Sequence, residues 1–201
     1  MRAISTCLLL MLLPACNCGQ VGSADDARIA YLGVDKVVSK SLALGFSGFN
    51  AANSANIPPQ ADVGDAGGTI DVTGQVDQGA SANKGMRLQV ALAAYSDGKI
   101  DDPKTDNKDD IDITYATSDA APIALDMQLK NIPTGTLTGT LVGKVTMTGD
   151  LQGDLDLNLA LAGAIEADPD HAGQTRRVVG TTHVTGKATS ANGAFDIDDT
   201  I

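Results

Sequence analysis

Between Leu137 and Ile165 every odd-numbered position is apolar or glycine, while the even positions are mostly Thr, Asp, Asn, Lys and Gln. A helix would scatter these side chains around its axis, whereas a strand puts them all on one face. The run is too long for one ordinary strand, so it predicts two antiparallel strands joined near Gly149–Gly153. A loop of odd length, such as three residues, keeps the parity unchanged across the turn. One face then carries only aliphatic side chains and glycine. A lone hairpin cannot bury such a face, so the rest of the chain must supply its cover.

The same period of two recurs on both sides. Ile70, Val72 and Val76 make a first strand, and Met86, Leu88, Val90, Leu92 and Ala94 a second. Ile111, Ile113 and Tyr115 give a third; Ile123, Leu125, Met127 and Leu129 give a fourth. Residues 175–189 and 193–201 bring the total to about eight, with Ser190-Ala191-Asn192-Gly193 as the turn between them. A short echo links Val72-Thr73-Gly74 with Val184-Thr185-Gly186, each followed by Ser-Ala-Asn. It is too short to mark a repeat architecture.

The cover is predicted upstream. Val34, Val37, Val38, Leu42, Phe46 and Phe49 fall at helical spacing, giving an amphipathic helix over 34–50 whose last turn is weakened by Gly45 and Gly48. Residues 51–68, with Pro58-Pro59, read as a connection. Gly139, Gly143, Gly149, Gly153 and Gly163 share the apolar parity, which permits curvature and close approach of another element. The expected fold is therefore mainly β (α+β), a single domain over 28–201. It is a curved antiparallel β-meander with one N-terminal amphipathic helix packed on its apolar face. A β-sandwich or a small closed barrel is the alternative.

The N-terminus carries an address. Arg2 supplies positive charge, Ile4 to Leu13 form a short apolar core, and Ala15 precedes Cys16. About ten apolar residues are present where about twenty are needed to span a bilayer, so residues 1–15 read as a removable signal peptide. Leu13-Pro14-Ala15-Cys16 resembles the lipobox of bacterial lipoprotein precursors. Cys18 follows Asn17, a poor match to the small residue the motif needs, so Cys16 is the preferred anchor. The resemblance implies cleavage before Cys16 and a covalent diacylglyceryl and acyl lipid there, the only cofactor-like group expected. It implies a cell-envelope, membrane-anchored protein. Asn17, where an Asp would favour the inner membrane, implies the outer membrane in a double-membrane bacterium. Residues 16–27 then read as lipidated Cys and polar tether; its eleven residues after Cys16 reach roughly 36–40 Å when stretched.

Charge and composition exclude several functions. The chain has 14 basic and 25 acidic side chains, so phosphate backbones repel it and no nucleic-acid partner is expected. It has no Trp, three Tyr and three Phe, too few for stacking platforms or for the aromatic girdles of a membrane barrel. Cys7, Cys16 and Cys18 make no disulfide framework.

Chemistry is sparse. The acidic stretch Asp97–Asp112 could offer Asp101, Asp102, Asp106, Asp109 and Asp110 as oxygen ligands to calcium. It lacks the EF-hand spacing and is interleaved with Lys99, Lys104 and Lys108, so it reads as a solvated loop and no metal site is expected. His171 and His183 lack further ligands at metal spacing. Gly45-Phe46-Ser47-Gly48 lacks nucleophile-elbow spacing, and Arg176-Arg177 reads as a solvated strand end. With no catalytic motif, the expectation is a non-enzyme: an envelope lipoprotein with a structural or protein-binding role. The alternative is a carrier of acyl chains or another apolar ligand in the sheet concavity.

Overall fold

A computed structural model describes residues 19–101 and 111–201. The long alternating run forms β6 (Gly135–Gly149) and β7 (Gly153–Ala167), joined by residues 150–152. Leu137 stands opposite Gly163 and Met147 opposite Gly153, so odd positions meet odd positions along the whole hairpin. Leu137, Leu141, Val145, Leu155, Leu159 and Ile165 are buried on the inner face, as the parity requires.

Upstream lie β1 (Gln60–Val63), β2 (Gly67–Val76), β3 (Lys84–Ser96), β4 (Ile113–Ala116) and β5 (Ile123–Lys130). Downstream lie β8 (Thr175–Arg177), β9 (His183–Ser190) and β10 (Gly193–Thr200). All ten pair antiparallel in one sheet, ordered β1-β2-β3-β4-β6-β7-β9-β10. Here β4 and β5 share the slot between β3 and β6, while β8 and β9 share the slot beside β7. Among the described residues the meander is mainly β with one helix, as expected, but with ten strands rather than about eight. Strand β1, placed by sequence in a connection, is a short edge strand with mostly exposed side chains, so hydropathy gives it no signature. The run 175–189 is broken at 178–182, where the Thr181 hydroxyl takes the Ala164 N–H at 3.2 Å in place of a ladder carbonyl.

The helix α1 (Ala24–Ala51) starts ten residues before the expected 34. Ser23 caps it, its hydroxyl accepting from the Asp26 N–H at 3.0 Å, and Asp25 and Asp26 complement the helix dipole. Ala27, Ala30 and Tyr31 extend the buried stripe two turns towards the N-terminus. The predicted tether is correspondingly shorter. Its described part is strapped down: Gln20 bridges Gln152, Val21 is buried, and the Val21 carbonyl accepts from Ser190 Oγ at 2.8 Å.

The helix touches β1, β2 and β3 at one end of the strand order and β8 and β10 at the other. A sheet that meets one rod with both ends must curl round it. The outermost strands β1 and β10 do not pair, so the sheet is neither a closed barrel nor a sandwich of two sheets. Tyr31, Val34, Val38, Leu42 and Phe46 fill the concavity, each at most 1% exposed. The glycines that admit this contact lie on the helix: a Cβ on Gly45 would come within 3.1 Å of Leu88 and one on Gly48 within 2.8 Å of Ile57. Gly139 and Gly143 instead make room for the neighbouring strand, at Asp126 and Ile123, which corrects their expected role.

One parity expectation fails. The register of β2 against β3 shifts between Gly67–Ser96 and Thr69–Ala93, and Ala94 takes a positive φ of 48°. This bulge leaves Ala94 exposed and turns Tyr95 inward. Gly68 sits against it; a Cβ there would lie 2.0 Å from the Ala94 carbonyl oxygen.

Candidate functional site

The outer side of α1 shows through the seam between the two ends of the sheet. A cleft of about 550 Å³ lies over it, with Lys36, Lys40 and Leu44 on its floor. Asp62, Asp65 and Asp97 form one wall, and Asp168, His171 and Arg176 the other. The Lys40 ammonium donates to the Val63 carbonyl at 2.8 Å and to Asp97 at 3.2 Å, and stands 5.4 Å from the centre of the Tyr95 ring. Burial pushes the Asp97 carboxyl up, but hydrogen bonds from the Tyr95 hydroxyl, the Asp65 N–H and Lys40 outweigh it and hold the group below its ordinary value. Burial, and then the bond to Asp97, drives the Tyr95 hydroxyl upward. The network ties the helix to the β1–β3 end.

A second network ties the helix to the other end. Arg177 grips Asp35 through Nη1 at 2.7 Å and Nη2 at 2.5 Å, and Nη2 also reaches Ser39 Oγ at 2.6 Å. The Tyr31 hydroxyl donates to the same carboxylate at 3.1 Å. Both charged side chains are about nine-tenths buried. Burial disfavours the charged guanidinium, yet the hydrogen bond and charge of Asp35 hold its pKa above the ordinary value. Arg28 and Asp199 make a further buried pair at 3.7 Å between α1 and β10. Arg177 is therefore no solvated strand end, whereas Arg176 pairs with Glu166 on the surface, as expected of a solvated residue.

A third arrangement lies where α1 ends. A cleft of about 560 Å³ opens between the 77–83, 131–134 and 168–174 connections, with Phe49, Ala82, Ile132, Pro133 and Ala172 on its walls. Lys84 lines it and is only 3% exposed. Its ammonium donates to the Gly79 carbonyl at 2.6 Å and stands 4.7 Å from the centre of the Phe49 ring. No carboxylate among the described residues forms an ion pair with it.

Of the sequence-predicted site residues, Cys16 lies outside the described residues, as do Asp102, Asp106, Asp109 and Asp110 of the calcium candidates. Asp101 is described and exposed. Among the described residues no group of three or more His, Cys, Asp or Glu could hold a metal ion. His171 meets Asp168 at 3.1 Å and His183 meets Asp198 at 2.8 Å, both on the surface and in different places. Ser47 lies in the helix and accepts from Gln174. No nucleophile, base and orienting group converge among these pairs.

Sequence reasoning missed Asp35, Arg177 and Lys84. Only Lys84 left a readable signal: it shares the even, inward parity of Met86, Leu88, Val90 and Leu92, so a charge stands where the pattern calls for an apolar side chain. No helix among the described residues is long and apolar enough to cross a membrane. The chain matches no protein-family model, no curated protein and no solved structure.

Proposed function

We propose that the chain is a lipid-anchored envelope protein whose folded domain has a structural or protein-binding role and acts through its surface. The observation that carries this reading is the helix itself. Its side chains occupy the space an acyl-chain carrier would keep free inside the sheet. The two clefts of about 550 and 560 Å³ lie outside that space, one over the seam and one where α1 ends.

The anchor is Cys16, on the lipobox-like Leu13-Pro14-Ala15-Cys16. Because Gly19 and Gln20 are already fastened to Gln152, two residues, Asn17 and Cys18, separate Cys16 from the folded body. The three steps from Cys16 to Gly19 reach roughly 10 Å. The domain then sits against the bilayer with its 150–152 and 190–193 turns nearest the lipid. With two or three acyl chains, at about 0.8 kcal/mol per buried methylene, the attachment is durable.

Two measurements test the reading. Labelled palmitate should enter the wild-type chain and not Cys16→Ser, which should also leave the membrane fraction; equal labelling of both ends the anchor proposal. Amide hydrogen exchange should show residues 30–46 protected like β6 and β7, with or without added acyl lipid. Faster exchange of that helix on lipid addition would favour the carrier, since the helix must leave before the concavity can fill.

A further inference from the structure

The Lys84 side chain puts a charge where the strand pattern calls for an apolar residue. It stands opposite Leu129 at the end of β3, on the face that otherwise carries core side chains. A residue there that only had to pack would be apolar, as Met86 is. A buried ammonium has three donors and needs compensation for the water it has lost. Lys84 gives one donor to the Gly79 carbonyl and lies near the Phe49 ring. Two donors remain.

The neighbouring carboxylates are hydrogen-bonded by other partners, although Asp77 feels the Lys84 charge. Asp77 is exposed and is taken by Arg87 at 2.9 Å and the Gly85 N–H at 3.0 Å. Asp168, which also lines the cleft, accepts from the Asp170 N–H at 2.9 Å and contacts His171 at 3.1 Å. Around the ammonium the walls are mostly apolar, and the volume of about 560 Å³ lies within the range of small-molecule sites.

We propose that this cleft binds a small amphiphilic carboxylate, its head group on the Lys84 ammonium and its hydrocarbon body against Phe49, Ile132, Pro133 and Ala172. Charge fixes the class. One ammonium in a cleft that Asp168 also lines, on a chain of net charge −11, suits a singly charged anion and disfavours a phosphate dianion. The apolar walls favour a ligand with a hydrocarbon body over a bare inorganic ion. The site lies at the mouth of the sheet rather than inside it, so the helix stays in place. The inference stands independently of the anchoring and of the surface role.

The test uses the full chain in a Cys16→Ser background, titrated calorimetrically with sodium decanoate below its micelle concentration and, separately, with decanol. Decanoate should bind the unaltered cleft at least tenfold more tightly than it binds Lys84→Met, while decanol should not distinguish the two. Ala172→Trp, at an exposed wall position, should weaken decanoate by a similar factor with Lys84 intact, and it decides the matter should Lys84→Met not fold. Equal decanoate affinity in all folded variants, or no decanoate binding to the unaltered cleft, overturns the proposal.

Discussion

Gly33 and Tyr115 share one space: a Cβ on Gly33 would lie 2.2 Å from the Tyr115 hydroxyl oxygen, which donates to the Ala30 carbonyl at 2.8 Å. The mid-helix glycine costs about 1 kcal/mol in propensity and is kept for this contact. Gly33→Ala should therefore destabilise the domain, by about 1–3 kcal/mol as an overpacked core does, although alanine is the better helix former. Tyr115→Phe in the same chain should recover part of that loss. Urea midpoints of the two variants check both statements, and a more stable Gly33→Ala would contradict the packing.

Removing one member of the Asp35–Arg177 pair leaves its partner's charge buried. Arg177→Met should cost about 3–5 kcal/mol, while Arg177→Met with Asp35→Leu should lie much closer to wild type. Thermal unfolding of the two single variants and the double variant gives the coupling directly.

Asp97 makes stability depend on acid. Its carboxyl is held below the ordinary 3.8, so the unfolded chain takes up the proton first as pH falls. The stabilisation is complete above about 4 and is lost as pH drops through the folded value. The advantage of wild type over Asp97→Asn should thus be constant near neutrality and shrink below about pH 4. A difference that is flat down to pH 2 would refute this assignment.

Ser23 sets the first turn of α1. Ser23→Ala should cost about 1 kcal/mol and loosen amide protection over residues 24–28 without affecting the C-terminal half of the helix. A helix that began at residue 34 would be indifferent to the change.

The sheet was legible because one-sided burial imposes a period of two, and β6, β7 and β5 display it without interruption. The helix was legible where large side chains mark its stripe, from Val34 to Phe46. Its first turns use Ala27 and Ala30, too small to register, and a cap in Ser23-Ala24-Asp25-Asp26 that resembles a polar tether, although Tyr31, three residues before Val34, already continues the stripe. Ala94 was misplaced because a bulge changes parity without changing composition. The Asp35–Arg177 contact joins residues 142 apart in sequence, and neither residue's neighbours announce the other. Lys84 alone was readable in principle, as a charge on an apolar parity.

The helix that fills the sheet comes before every strand that encloses it. A chain made from its N-terminus therefore carries the bare stripe from Tyr31 to Phe46 while the strands are still being added. Arg177 and Asp199, which close the second side of the seam onto the helix, come late in the sequence. Contacts so distant form slowly and leave partly folded species prone to association. Assembly of this domain is thus governed by its last quarter, and loss of β8 to β10 would leave the helix uncovered along that side.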